Sequence, residues 1–180
     1  MARALVIVDI QKDYFPGGAH PLEGPELAAA AARRLLEAFR TAGEPVVHVR
    51  HVWDEEDATF MRPGTDGVDI HPTVAPLDGE TVITKTHPNS FRETALHDHL
   101  RAAGVEELVV CGMMTSMCVD ATVRAAVDLG FDTTVAHDAC ATRELEFDGR
   151  AIPAVSVHAA FLAALADGYA AVVATDDIAR

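Results

Sequence analysis

Cysteine, aromatic and basic residues are all scarce in this chain of 180 residues, and each shortage excludes something. Three cysteines, none in a Cys-x-x-Cys pair, cannot build a disulfide framework, and no Cys/His spacing resembles a zinc site. Lys and Arg together number 14 against 28 Asp and Glu, and the resulting formal charge of −14 repels nucleic acid and anionic membranes. No apolar run approaches the length of a membrane span. The opening run Ala4-Leu5-Val6-Ile7-Val8 has neither the longer apolar stretch nor the cleavage site of a signal peptide. The expected setting is a reduced, cytoplasmic compartment, without nucleic-acid or membrane partners.

What is present is ordinary globular material. An apolar fraction of 49% with 23% charged residues argues against disorder, and the length suits a single domain over residues 1–180. Ala4 to Val8 reads as a parallel strand buried on both faces. Pro25 at a start, Leu27, Leu35 and Phe39 at near-helical spacing, and Gly43 at the end mark a helix. Val46 to Val52, Thr81 to Thr84, Leu108 to Cys111, Asp132 to Ala136 and Tyr169 to Ala174 read as further strands. Between them lie helices carrying Leu96 and Leu100, Val119 to Val127, and Val157 to Leu165. Ser90 with Glu93 has the spacing of a capping box for the first of these. Residues 53 to 76 form the long irregular connection expected of a lid or binding loop. Alternating strands and helices imply an open, mostly parallel sheet with helices on both faces.

Ligands bind such sheets at the carboxyl ends of the strands. Asp9, Lys85, Cys118 and Asp138 fall at or just past such ends. An Asp that closes a buried apolar strand is costly unless paired or catalytic. Cys118 sits at a helix start after Val109-Val110-Cys111-Gly112-Met113-Met114-Thr115-Ser116-Met117. There backbone N–H groups and the helix dipole are expected to lower a thiol pKa. Taken alone, the stretch fits either a nucleophile or a packed thiol, and Asp9 with Lys85 either a base and cation or a structural ion pair. Cys111 is expected in the core, and Cys140 in a loop after the fifth strand with no role.

Several motifs together resemble one family. They are Val8-Asp9-Ile10-Gln11-Lys12-Asp13-Tyr14-Phe15, Phe60-Met61-Arg62-Pro63-Gly64-Thr65, Lys85-Thr86-His87-Pro88-Asn89-Ser90-Phe91, Cys111 through Val119, and His137-Asp138-Ala139-Cys140-Ala141-Thr142. In that order and spacing, across essentially the whole chain, they resemble the isochorismatase-like cysteine hydrolases. That superfamily includes nicotinamidases, N-carbamoylsarcosine amidases and ureidoacrylate amidases.

The resemblance implies a three-layer α/β/α Rossmann-like fold with a six-stranded parallel sheet in the order 3-2-1-4-5-6. It implies a triad of Asp9 as base, Lys85 as its cation and Cys118 as nucleophile. A non-proline cis peptide would fall at Met113-Met114, with the N–H groups of Met114 and Cys118 as oxyanion hole. Gln11, Phe15, Trp53, Phe60, Asn89 and Met117 are candidates for the substrate pocket. The expected reaction is hydrolysis of a small carboxamide or related C–N bond through a Cys118 thioester. The alternatives are an isochorismatase-type vinyl-ether hydrolase and a non-catalytic ligand-binding member. Nicotinamidases carry an Asp-x-His metal motif after the second strand, whereas this chain has Arg50-His51-Val52-Trp53-Asp54. His51 and His71 are left as lone histidines, and no metal or other cofactor is expected. The resemblance also implies a homodimer or higher homo-oligomer.

Overall fold

Five short parallel pairings build the sheet that carries the site. The structure is a computed structural model and describes residues 2–179. The chain runs β1 (Ala2–Val8), α1 (Pro25–Ala42), β2 (Val46–His51), β3 (Thr81–Lys85), α2 (Leu96–Ala102) and β4 (Val105–Met113). It continues through α3 (Asp120–Asp128), β5 (Asp132–Ala141), β6 (Leu145–Phe147), β7 (Arg150–Ile152), α4 (Ala154–Gly168), β8 (Ala171–Val173) and α5 (Thr175–Ile178). The sheet order is β3-β2-β1-β4-β5-β8, every pair parallel. With β8 as its sixth strand, this is the expected 3-2-1-4-5-6 order. The order reverses direction between β1 and β4. Right-handed crossovers on either side of that switch put helices on opposite faces, α1 packing with α5 and α3 with α4.

The central strands explain their own burial. Ala4 to Val8 and Leu108 to Met113 are buried without interruption, as strands covered on both faces must be. The β6–β7 hairpin, not expected from sequence, turns through Asp148 and Gly149, both at positive φ (51° and 70°). Asp-Gly is the dipeptide that such a two-residue turn favours.

Three local expectations need correction. Leu27 is 80% exposed, because α1 buries Ala28, Ala29, Ala31, Ala32, Leu35, Leu36 and Phe39 instead. Its small alanine face brings the helix onto the sheet. Ser90 and Glu93 do not cap α2, which begins only at Leu96 behind Ala95. Ser90 is buried with its Oγ 2.8 Å from Thr122 Oγ1, while Glu93 turns out to pair with His87. Cys140 is buried inside β5, not exposed in a loop, and burial pushes its thiol up to about 12. A register shift between Val110 and Gly112 lets β5 keep pairing beyond the polar His137-Asp138.

The entry into β3 is pinned by a charged network. Glu80 accepts two hydrogen bonds from Arg40 of α1 and one from the Leu77 N–H, and lies 3.0 Å from His48 Nε2. Its bonds to Arg40, helped by Leu77 and His48, hold its carboxyl at about 2, below the ordinary 4.5. Burial lowers the His48 pKa as well. Both groups therefore contribute stability that is present at neutral pH and is lost on acidification, His48 below about 6.5 and Glu80 between about 4.5 and 2. Glu80→Gln is expected to cost about 1–2 kcal/mol at pH 7 after allowing for solvent screening, and to flatten the acid limb. Urea melts across the acid range check this; parallel curves for the two proteins would show that Glu80 does not contribute to acid sensitivity.

Candidate active site

At the carboxyl edge of the sheet, beside the switch between β1 and β4, the reactive residues of three segments meet. β1 ends at Val8, and Asp9 adopts a left-handed conformation (φ 50°) that an Asp tolerates better than a branched residue. Its N–H donates to Val49 O and its carbonyl accepts from Gln11 N–H, both at 2.9 Å. This kink turns the side chain out of the strand line. Lys85 closes β3, two strands away, and Cys118 arrives on the turn after β4.

That turn is a π-helical segment, Thr115–Val119, preceding α3. The helical path from Thr115 onward thus begins with one wide turn, and Cys118 lies on it, 4% exposed. The peptide bond between Met113 and Met114 is cis. Gly112 has a φ of 133°, and a Cβ there would lie 1.9 Å from the Val8 carbonyl oxygen. Only glycine lets β4 approach β1 this closely, next to Asp9.

Lys85 is the hub. Its Nζ is 2.7 Å from Asp9 Oδ2, 3.0 Å from His51 Nδ1 and 3.3 Å from Cys118 Sγ. The Lys85 and Asp9 side chains are wholly inaccessible. Burial works against the ammonium charge, but Asp9 and the Cys118 sulfur outweigh it and the Lys85 pKa is raised. The Asp9–Lys85 contact is an ion pair without good hydrogen-bond alignment, so neither Asp9 oxygen has an aligned donor. A buried carboxylate with free acceptor capacity beside a thiol is poised to take a proton.

The expected low thiol pKa at Cys118 is reversed. Burial raises it, the Asp9 charge raises it further, and Lys85 offsets only part. Burial is the larger cause, so the helix start does not by itself make this thiol a ready thiolate.

Asp138, the fourth strand-end candidate, has a structural task. Its Oδ1 accepts from the Thr175 N–H and hydroxyl at 2.7 and 2.8 Å, tying α5 to β5. Among the pocket candidates, Trp53 and Phe60 pack edge to face with ring centres 5.4 Å apart. Phe60 also neighbours Tyr14 and stacks on His20 at 4.3 Å. Burial raises the Tyr14 phenol well above its ordinary value, with the Cys118 and Asp9 charges adding to it, so this aromatic group borders the cluster. Met117, beside the thiol, is 46% exposed.

Three other pocket candidates turn elsewhere. Gln11 is fully buried, and its amide donates to His51 O and Val68 O and accepts from the His51 N–H. Asn89 caps its own loop through the Phe91 N–H. Phe15 stacks on His71 at 3.7 Å, and His71 Nδ1 accepts from the Thr73 N–H. Tyr14, His20 and His51 were not singled out by sequence as neighbours of the cluster. For His51 a signal existed: it ends β2 in direct register with Lys85 at the end of β3.

Among the described residues, Asp9, His51 and Cys118 offer donor atoms within 4.8 Å of one another. The set does not fit a divalent ion, because the Lys85 ammonium already contacts all three. A second cation among them would meet like-charge repulsion at close range. Among the described residues, no helix is long and apolar enough to cross a membrane.

A doubly wound parallel α/β fold with a buried thiol–carboxylate–ammonium cluster at its carboxyl edge defines a class of hydrolases. The chain belongs to the isochorismatase family: the isochorismatase domain model matches residues 3–156. The isochorismatase family protein YddQ of Bacillus subtilis is 51% identical over 98% of each chain. A crystal structure of an isochorismatase-type hydrolase from Oleispira antarctica superposes with a TM-score of 0.96 at 49% identity, covering 99% of this chain and 96% of that one. The N-carbamoylsarcosine amidase of Thermoplasma acidophilum superposes at 0.84 with 26% identity, covering 98% of each chain.

Proposed function

We propose that this protein is a cysteine amidohydrolase that cleaves a small carboxamide or related C–N bond through a Cys118 thioester. The observation that carries the proposal is the Lys85 ammonium held between Asp9 and Cys118, 2.7 and 3.3 Å from each, out of water. Thiol chemistry needs a base and a positive environment, and this arrangement supports both roles.

In this reading Asp9 takes the Cys118 proton as sulfur attacks the amide carbonyl. The developing oxyanion is received by the backbone N–H groups of Met114 and Cys118, an arrangement able to lower a barrier by about 3 kcal/mol. As the C–N bond breaks, Asp9 passes its proton to the departing nitrogen, which leaves as ammonia or an amine. Water then gives a proton to Asp9 and attacks the thioester, and the thiol is restored as the carboxylic acid leaves. Lys85 stays charged throughout and stabilises thiolate and carboxylate in turn. Trp53, Phe60, Tyr14 and His20 make one wall, suited to a substrate with an apolar or planar face.

An ammonia-release screen over small amides, ureido acids and lactams tests this, with Cys118→Ala alongside. Turnover that disappears in the variant supports the reading; turnover that survives undiminished overturns it.

A further inference from the structure

We infer that His51 is a positioning residue that fixes the Lys85 ammonium between Asp9 and Cys118. The inference rests on the cysteine-hydrolase reading above.

An ammonium has three N–H donors and no acceptor. Lys85 Nζ has three partners: His51 Nδ1 and Cys118 Sγ in hydrogen bonds, and Asp9 Oδ2 in a close ion pair. Two of them belong to the reaction, and their charges change as the proton moves from sulfur to carboxylate. His51 is the constant third. Its ring faces Lys85, Asp9 and His87; burial and then the Lys85 charge lower its pKa to about 4, so it stays neutral at physiological pH. A neutral Nδ1 takes one Lys85 proton in direction without neutralising the ammonium. The full positive charge is left to the thiolate and the carboxylate.

The histidine is itself held from behind. Gln11 grips its main chain on both sides, Nε2 donating to His51 O and Oε1 accepting from His51 N–H, each at 2.8 Å. A third bond from Gln11 to Val68 O, at 2.7 Å, fastens the long loop to the same point. Two residues after Asp9 on the chain, Gln11 thus links the base, the end of β2 and the loop into one frame. Without the His51 acceptor, one buried N–H of Lys85 loses its partner and the ammonium can swing off the Asp9–Cys118 line.

The test reads Cys118 itself and so needs no substrate. Carbamidomethylation of Cys118 by iodoacetamide is followed across pH by peptide mass mapping, which separates it from the buried Cys111 and Cys140. His51→Leu removes the acceptor, and His51→Asn returns an oxygen near the Nδ1 position. The leucine variant is expected to react about tenfold more slowly, its profile moved up by about one pH unit, and the asparagine variant to stay within about twofold of wild type. His51→Ala serves in place of leucine if that variant does not fold. Unchanged alkylation without the acceptor, or an asparagine variant as slow as leucine, overturns the positioning role. Either outcome is distinct from failure of the hydrolase reading, which shows as amide turnover that ignores Cys118→Ala.

Discussion

Asp9→Asn is expected to lower amide turnover by about 10³-fold or more while the protein still folds. An asparagine fits the space but cannot accept the thiol proton, and general acid–base catalysis by a positioned group contributes roughly 10²–10⁴-fold. Asp9 is asked to act at both ends of the acyl-transfer step, so the upper part of that range applies. The thiol effect works partly against this loss. Asp9 raises the Cys118 pKa, so removing its charge eases ionisation of the sulfur. Beside Lys85 the thiol then ionises more readily in the variant, but no group returns a proton to the leaving nitrogen. The signature is therefore paired: alkylation of Cys118 becomes faster and hydrolysis becomes far slower. Equal losses in both would mean that the site had collapsed. Stability falls as well, because a buried ammonium loses the carboxylate it pairs with; breaking such a pair costs about 3–5 kcal/mol, less whatever His51 and the sulfur recover as acceptors. Steady-state ammonia release, iodoacetamide kinetics and a urea melt on the same preparation separate the three effects.

Gly112→Ala is expected to be among the most damaging single substitutions in the chain. The added methyl would sit 1.9 Å from the Val8 carbonyl oxygen and 2.8 Å from the Val8 nitrogen, at a φ of 133°. These are backbone atoms of the neighbouring central strand, which cannot rotate aside as a side chain does. Relief requires β1 and β4 to separate where Val8 and Gly112 pair, next to Asp9. A cost above about 4 kcal/mol follows, a large share of the 5–15 kcal/mol that stabilises a typical domain. Gly149→Ala is the control. Its φ of 70° is strained for alanine, but nothing lies within 4 Å, so only about 1 kcal/mol is expected. Urea midpoints of the two variants decide the matter; a Gly112→Ala midpoint near that of Gly149→Ala would show that the strands yield more easily than their packing implies.

The sheet was legible because its signals are local. Continuous apolar runs such as Leu5 to Val8, glycine stops such as Gly43, and proline starts such as Pro25 each act within a few residues of themselves. Misreadings came where a polar or turn-like residue served a distant partner. Ser90 resembled a cap yet bonds Thr122 across the structure, and Asp138 resembled a reactive group yet ties down Thr175. Cys140 followed a polar pair typical of a loop, but a register shift kept it in the sheet.

Residue type and position along the chain were enough to nominate Asp9, Lys85 and Cys118, since strand ends on one edge of a parallel sheet must converge. What they could not supply was the state of the group. A thiol at a helix start reads as an easy thiolate from sequence, because the dipole is a local property. Burial and the charge of Asp9, more than a hundred residues away in the chain, act through space and reverse that expectation. The same holds for the third partner of Lys85. His51 is an unremarkable strand-end histidine until β2 and β3 pair and bring it 3.0 Å from the ammonium. Sequence by itself determined which residues gather. Only the tertiary structure decided their protonation and their hydrogen-bond partners, because desolvation and Coulomb energy depend on distance in space.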